Sequence, residues 1–222
     1  MSTYKLHWIS GSPNCWRVLL AFAFKGIEYQ SQRINPATWD QGDSHFLRLN
    51  PRAKVPVLED GDTVIYESVA IMAYLEEKHP DVPIFGENPA QSGLIWQRIA
   101  ELIHYTLEPV YELSRLLMRE TALNDIDHSN QLAQNISKEL KIIDSQLGKT
   151  SYIAGNKISA ADIYFYPAVA FLEKMLALPA TKHIDVNFYP MPDELPALSS
   201  WMCEIEKMPG FEKAYPPHWR DE

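Results

Sequence analysis

Three consecutive segments near the start of the chain decide the fold: YKLHWI at residues 4–9, SGSP at 10–13 and NCWRVLLAFAFK at 14–25. The first is predicted to be a β-strand, the second a short loop and the third an apolar α-helix. Another strand is predicted over Ile27–Ile34. The chain therefore begins with a strand, a helix and a second strand.

Four more elements are predicted before residue 80: a short helix at 39–49, strands at 57–59 and 63–65, and a helix at 68–79. The first of these helices ends before Pro51, because a residue that precedes proline avoids the α conformation. Asp60-Gly61-Asp62 between the two strands signals a β-hairpin. Pro80 ends the second helix. The order of elements predicts a small mixed sheet with helices packed on it.

Strand signals stop after a proline-rich segment at residues 80–89. From Ala90 onward, apolar residues recur at helical spacing. The clearest series advances by four, four, three and four residues: Leu132, Ile136, Leu140, Ile143 and Leu147. We therefore expect an α/β domain at residues 1–82, a linker at 83–88 and an all-helical domain at 89–222.

The segment around Ser159 predicts the start of a buried helix. Ser159 and Asp162 fit a capping box, with aspartate in place of the commoner glutamate, and Ile158 with Ile163 fits a hydrophobic staple. This arrangement favours a role for Asp162 in folding rather than in chemistry.

The composition limits the partners of the protein. Its net charge is −9 and its isoelectric point is about 5.3. Nucleic-acid binding is driven by clustered Lys and Arg, and an acidic surface also disfavours anionic membranes. A chain of 222 residues buries enough surface to fold without a disulfide or a metal. We expect neither nucleic acid nor membrane as a partner.

The chain carries few signs of secretion. Its two cysteines, Cys15 and Cys203, are too few for a secreted disulfide scaffold. The first 13 residues lack the charged-then-apolar pattern of a signal peptide. A cytoplasmic location is the resulting expectation.

Several common active-site types have no counterpart in the sequence. The seven histidines include no close pair at metal-ligand spacing, and the cysteines form no Cys-x-x-Cys pair, so no metal is expected. The sequence also lacks a Gly-rich phosphate loop and a Gly-x-Ser-x-Gly motif. These absences disfavour nucleotide-dependent and common hydrolytic chemistry.

The loop before the first helix carries Ser12-Pro13-Asn14-Cys15, which is a Cys-Pro-x-Cys redox motif with serine at its first position. The first cysteine of such a motif is normally the activated nucleophile, so its loss removes disulfide exchange through that residue. A serine hydroxyl there can donate a hydrogen bond to a thiolate that arrives with a ligand. It can equally serve only as a helix cap. Cys15 keeps a redox role open, although a small buried side chain is its more common role.

A second group of residues suggests what that ligand is. Lys54 offers a positive charge, and Glu67-Ser68 at a helix start offers a carboxylate for an ammonium group and a hydroxyl for a carboxylate. Pro56 at the start of a strand leaves the backbone before it open to an outside partner. Glutathione has the thiol, the amino-acid head and the distant carboxylate that these groups would bind. Alternatively, Glu67-Ser68 caps the helix and Lys54 is a solvated surface charge.

Together these motifs resemble those of the cytosolic glutathione transferases, over essentially the whole chain. The shared motifs are Ser12-Pro13-Asn14-Cys15-Trp16-Arg17, Lys54-Val55-Pro56, Glu67-Ser68 and Ser159-Ala160-Ala161-Asp162. Finer features are similar to the rho class of aquatic animals: Gly11-Ser12-Pro13 with Cys15-Trp16-Arg17, Asn50-Pro51-Arg52-Ala53, Tyr152-Ile153-Ala154-Gly155 and Tyr215-Pro216-Pro217-His218-Trp219.

The resemblance implies a thioredoxin-like N-terminal domain, an all-helical C-terminal domain and a homodimer. It implies a cis bond between Val55 and Pro56, and glutathione as co-substrate with no metal. Ser12 would be the catalytic hydroxyl. The glutathione-binding residues would be Gln41, Lys54, Val55, Glu67 and Ser68.

The implied function is conjugation of the glutathione thiolate to small hydrophobic electrophiles, as in detoxification. The electrophile would meet residues of the helical domain: His104, Leu107, Tyr111, Arg115, Met118, Tyr164 and Phe171. Residues at helical spacing are more often part of a core. Three alternatives stay open: a glutathione-dependent isomerase, a thiol reductase of the same superfamily and a non-catalytic ligand-binding protein.

Overall fold

The computed structural model describes residues 4–39 and 43–220. Strand β1 (Tyr4–Trp8) is followed by a tight turn and by helix α1 (Pro13–Lys25), each bound lying within one residue of the prediction. Most residues of α1 are buried, and the majority of these are apolar. The helix ends at Gly26, whose φ of 66° is left-handed, and the Gly26 amide donates to carbonyl oxygens of the last turn.

The remaining strands complete a four-stranded sheet in the order β2-β1-β3-β4. They are β2 (Gln30–Arg33), β3 (Val57–Asp60) and β4 (Thr63–Tyr66). Strand β2 pairs parallel to β1, whereas β3 pairs antiparallel to both β1 and β4. This mixed sheet, with α1, α2 (Ser44–Leu49) and α3 (Ser68–Lys78), is the predicted thioredoxin-like arrangement.

Strand β2 is shorter than the predicted span of Ile27–Ile34. It is an edge strand, and all four of its residues are exposed. An edge strand pairs on one side only, so pairing ends where the neighbouring strand ends rather than where the apolar sequence ends.

Beyond residue 84 the described chain contains helices and loops, and the named strands all lie before it. These helices include α4 (Pro89–Glu101), α5 (Leu107–Met118), α6 (Ile126–Leu147), α7 (Ala160–Leu176), α8 (Met191–Glu194) and α9 (Pro196–Glu206). A π-helical segment, Leu102–Thr106, joins α4 to α5 without a break. The predicted apolar series lies along α6, where Leu132, Ile136, Leu140 and Leu147 are buried and Ile143 is half-buried.

The chain divides into two compact units, each with its own contacts. The second unit spans Ile84–Lys207, and the first takes in the described residues of Met1–Pro83 and Met208–Glu222. The sequence analysis placed the whole of 89–222 in the helical domain, which differs from this division. Helix α10 (Phe211–Ala214) packs on α1 instead, because its aromatic neighbours surround a ring on α1.

Trp16 is that ring. It contacts Phe211, Tyr215 and Trp219 with ring-centre distances of 6.2, 5.5 and 5.4 Å, the last two edge-to-face. Such aromatic pairs contribute about 0.5–1.5 kcal/mol each beyond the burial of their area. This aromatic cluster holds the C-terminal residues against α1.

No helix among residues 4–39 and 43–220 is long and apolar enough to cross a lipid bilayer.

Candidate functional site

The pairing register of the sheet brings three predicted site segments to one edge. His7, near the end of β1, pairs with Val57, the first residue of β3. Val57 pairs in turn with Tyr66, the last residue of β4. The chain therefore leaves β1, enters β3 and leaves β4 at the same edge. The segments found there are Ser10–Ser12, Lys54–Pro56 and Glu67–Ser68.

Ser12 is the N-cap of α1. Its backbone is extended, and its Oγ accepts a hydrogen bond from the Cys15 amide at 3.5 Å. A hydroxyl that accepts in this way still has its own proton to donate. The positive end of the helix dipole also lies at this residue. Capping and donation, which the sequence left as alternatives, are therefore compatible functions of one side chain.

Cys15 lies in the first turn of the helix and is fully buried. Its Sγ accepts from the Ile9 amide at 3.4 Å. Burial raises the pKa of the Cys15 thiol from 9.0 to about 11. Because only the thiolate is a nucleophile, the raised pKa and the burial both disfavour reaction of Cys15 near neutral pH, and its surroundings are those of a small core residue.

Asn50 organises the loop that carries Lys54. The Asn50 side chain is buried, its Nδ2 donates to the Lys54 carbonyl oxygen at 2.7 Å, and its Oδ1 accepts from the Arg52 amide at 3.0 Å. Ala53 between them has a left-handed φ of 48°. Lys54 itself is exposed. The sequence analysis assigned no role to Asn50, although an Asn-Pro pair is a turn signal.

The Val55–Pro56 peptide bond is cis, which confirms the prediction from the family resemblance. A second cis bond, between Tyr189 and Pro190, was not predicted.

Glu67 precedes α3 with an exposed side chain and a φ of 71°. A positive φ at a residue other than glycine costs of order 1–3 kcal/mol and is often found at ligand-binding sites. Its carboxylate makes no capping hydrogen bond to the α3 backbone. The conformation therefore does not serve helix capping, which was the structural alternative for this residue.

Arg17 connects α1 to the start of α3. The side chain is 1% exposed, and its Nη1 donates to Asn14 Oδ1 at 2.6 Å and to Ser68 Oγ at 3.5 Å. Ser68 is itself buried. A buried guanidinium behind Ser68 gives this corner of the site a positive potential that suits a carboxylate. The sequence analysis quoted Arg17 within a motif but missed this role, since no local signal predicts its burial.

The residues predicted to bind the electrophile all belong to the second unit. They lie on the continuous helical stretch 104–118 and on α7: His104, Leu107, Tyr111, Arg115, Met118, Tyr164 and Phe171. Leu107, Tyr164 and Phe171 are buried, whereas His104, Arg115 and Met118 are exposed. His104 lines a surface cavity of about 320 Å³ between α5 and α6.

Gln41, predicted to bind the glycine end of glutathione, lies outside the described residues. Within the described ranges, no group of three or more His, Cys, Asp or Glu side chains is placed to hold a metal ion.

Two family models match the chain. The model of the glutathione S-transferase N-terminal domain matches residues 11–78, and the model of the C-terminal domain matches residues 124–209. Among curated relatives, glutathione S-transferase A of Pleuronectes platessa is 27% identical over 96% of this chain and 92% of its own length. Maleylacetoacetate isomerase of Mus musculus is 32% identical over 79% of this chain and 77% of its own length.

Among solved structures, a glutathione S-transferase from the Antarctic clam Laternula elliptica is 30% identical and superposes with a TM-score of 0.83. The match covers 100% of this chain and 95% of the clam protein. The sheet, the helical unit and both domain matches lead to one conclusion: the chain belongs to the glutathione S-transferase family.

Proposed function

We propose that this protein is a serine-type glutathione transferase that conjugates glutathione to small hydrophobic electrophiles. One observation carries the proposal: Ser12 caps α1 at the edge of the sheet to which Lys54 and Glu67–Ser68 also belong. At this position the Ser12 hydroxyl can donate a hydrogen bond to a thiolate that also faces the positive end of the helix dipole.

The energies are sufficient for this chemistry. A free thiol has a pKa near 8.5, and lowering it by about two units requires roughly 2.7 kcal/mol. A hydrogen bond to a charged group contributes about 1.5–3 kcal/mol, and a helix N-terminus adds about 0.3–1 kcal/mol. Because Ser12 and the helix end stabilise the thiolate sufficiently, no general base is required.

The reaction balances with glutathione and electrophile alone. The thiol proton passes to solvent, the thiolate sulfur forms a bond to the electrophilic carbon, and a leaving group departs with its electron pair. Lys54 and the Val55 backbone hold the tripeptide, and Gln41 binds its glycine end. Glu67 binds the ammonium group of the γ-glutamyl end and Ser68, with Arg17 behind it, binds the carboxylate.

Ultraviolet absorbance of the thiolate tests this proposal most directly. We expect glutathione on the protein to titrate about two pH units below free glutathione between about pH 5 and pH 9. Free glutathione in the same buffers is the control. Binding without such a shift would support the non-catalytic alternative, and no binding would contradict both functions.

An isomerase is the second candidate, favoured by the 32% identity to the mouse maleylacetoacetate isomerase. Such an enzyme would use the same thiolate, adding it to a conjugated cis double bond and then expelling it after rotation. The two functions differ in stoichiometry. Conjugation consumes one thiol for each product formed, whereas isomerisation consumes none, so a thiol assay beside a product assay separates them.

A thiol reductase that depends on Cys15 is disfavoured by the burial of that residue. At pH 8 a thiol of pKa about 11 is ionised in only about one molecule per thousand. We therefore expect a disulfide reagent to modify one thiol in the native protein, the exposed Cys203, and two in urea. In the Cys203→Ala variant, the reagent should modify no thiol in the native protein and one thiol in urea.

The Cys15→Ala variant gives the activity test of the same point. We expect it to keep wild-type transferase turnover, apart from the effect of a modest loss of stability. Disulfide exchange that disappears in this variant while conjugation persists would instead establish Cys15 as a redox residue.

The proposal extends to rho-class membership, a homodimer, a role in detoxification and a cytoplasmic location. The tail motif Tyr215-Pro216-Pro217-His218-Trp219 and the relatives from a fish and a clam support the class. The electrophile-binding role of the seven residues on the helical stretch 104–118 and α7 stays a prediction.

A further inference from the structure

The C-terminal segment, residues 215–219, reaches the turn formed by Ser10, Gly11 and Ser12. The Ser10 hydroxyl lies 2.8 Å from Nδ1 of His218, a hydrogen bond between residues 208 positions apart in sequence. A neutral imidazole accepts at one ring nitrogen and donates at the other, so either tautomer can form this bond with a hydroxyl.

Gly11 gives a second and independent indication of the same contact. Its φ is +79°, and a Cβ at this position would lie 2.8 Å from His218 Cε1 and 3.6 Å from Trp219 Nε1. The segment therefore lies directly against the backbone of the turn. A side chain at position 11 would displace the His218 ring, and the positive φ independently favours glycine at this position.

The segment is itself firmly held. Trp219 is 9% exposed and meets Trp16 edge-to-face, and Trp16 lies in the first turn of α1. His218 is thus carried between a ring anchored on α1 and the side chain of Ser10. These contacts place the exposed His218 side chain beside the N-terminus of the helix that Ser12 caps.

On its C-terminal side the turn is held by α1, because the Trp16 amide donates to the Ser12 carbonyl oxygen at 2.9 Å. The hydrogen bond within the turn is weaker. The backbone hydrogen bond from the Ser12 amide to the Ile9 carbonyl oxygen is long, at 3.4 Å. A catalytic group must be held within about 0.5 Å of its working position, and a 1 Å displacement can reduce rate by about a hundredfold. Contacts that restrict the Ser10–Gly11–Ser12 turn therefore affect what Ser12 can do.

We propose that His218 is a positioning residue for Ser12, acting through its hydrogen bond to Ser10 and its contact with Gly11. The inference rests on the proposed function, since Ser12 must activate glutathione for its position to matter. The C-terminal segment then belongs to the thiol-activating site, although it is the part of the described chain most distant from Ser12 in sequence.

Substitution of His218 tests the inference. We expect His218→Ala to bind glutathione with a Kd within about twofold of wild type, because no proposed ligand contact is lost. The pKa of the bound thiol should rise toward that of free glutathione, and turnover should fall about tenfold, well within the loss expected from a displaced catalytic group. Ser10→Ala should reproduce this effect, and the double variant should be no worse than either single one.

His218→Asn separates positioning from simple structural support. Asparagine can present Oδ1 to the Ser10 hydroxyl in place of Nδ1, so we expect it to restore most of the thiol shift and turnover. His183→Asn, at an exposed histidine of the second unit, is the matched control and should behave as wild type. Thermal unfolding of each variant verifies that the fold is retained.

These experiments separate a failure of the His218 proposal from a failure of the proposed transferase function. A wild-type thiol shift that persists unchanged in His218→Ala would overturn the inference and leave the proposed function intact. A wild-type protein without any thiol shift would overturn both. A loss of activity in His218→Ala that His218→Asn fails to restore would also contradict the proposed hydrogen bond.

Discussion

In the Ser12→Ala variant, turnover with an activated aryl halide is expected to fall roughly 10- to 150-fold, the range that corresponds to a hydrogen bond to a charged group. The Kd for glutathione should change little, because the residues proposed to hold the tripeptide are untouched. The thiolate absorbance should disappear near neutral pH. Steady-state kinetics, calorimetry and the absorbance titration measure the three effects separately.

Loss of the cap at Ser12 also destabilises α1, and this effect needs its own control. Replacing a capping residue by alanine costs about 1 kcal/mol. Asn88 caps α4 in the same manner, since its Oδ1 accepts from the Gln91 amide at 3.0 Å. Asn88→Ala should lose comparable stability and keep its turnover. Equal activity in Ser12→Ala and wild type would rule out Ser12 as the activating group.

In the Asp162→Ala variant, the free energy of unfolding is expected to fall by about 3–5 kcal/mol, a large part of the roughly 5–15 kcal/mol typical of a native protein. The fully buried Asp162 carboxylate accepts four hydrogen bonds. Oδ1 receives the Ile153 amide and Trp201 Nε1, both at 2.9 Å. Oδ2 receives the Ser159 amide at 2.9 Å and the Ser159 hydroxyl at 2.8 Å.

Alanine would leave those four donors buried without an acceptor, and each unsatisfied donor costs about 1–3 kcal/mol before relaxation. Burial raises the pKa of the Asp162 carboxyl, while the four donors act in the opposite direction. Urea denaturation followed by tryptophan fluorescence measures the loss. Asp125, an exposed cap of α6 that accepts from the His128 amide, supplies the matched control.

Asp125→Ala should cost about 1 kcal/mol, in line with an ordinary N-cap. A loss in Asp162→Ala as small as that of Asp125→Ala would show that the network around Asp162 is not needed for the stability of the helical unit.

The features of this protein that could be predicted from the sequence are those produced by interactions between residues close together in the chain. The turn at Asp60-Gly61-Asp62, the cap at Ser12 and the box of Ser159 with Asp162 each depend on hydrogen bonds between near neighbours. The apolar series of α6 was likewise found where the period predicted it. Ser12 could be predicted as the catalytic candidate for the same reason, because a helix N-terminus is a local feature of the sequence.

The misses have the opposite origin. The extent of β2 depended on where its neighbour stopped, and the C-terminal residues joined the first unit through contacts with Trp16 about 200 positions away. The sequence shows that Arg17 and Asn50 are polar residues near a motif. It does not show that both are buried, nor which atoms they meet.

By itself, then, the sequence indicated the family through the resemblance of its motifs. It also determined the order of elements and the serine at the helix start, because short-range capping, turn and periodicity rules act along the chain. Only the tertiary structure decided which distant residues support Ser12 and the other proposed binding residues. Ser68 is backed by a buried arginine, and the Ser10–Gly11–Ser12 turn is held by a histidine from the far end of the chain. Such contacts follow from packing between distant segments, and no local pattern encodes which segments will meet.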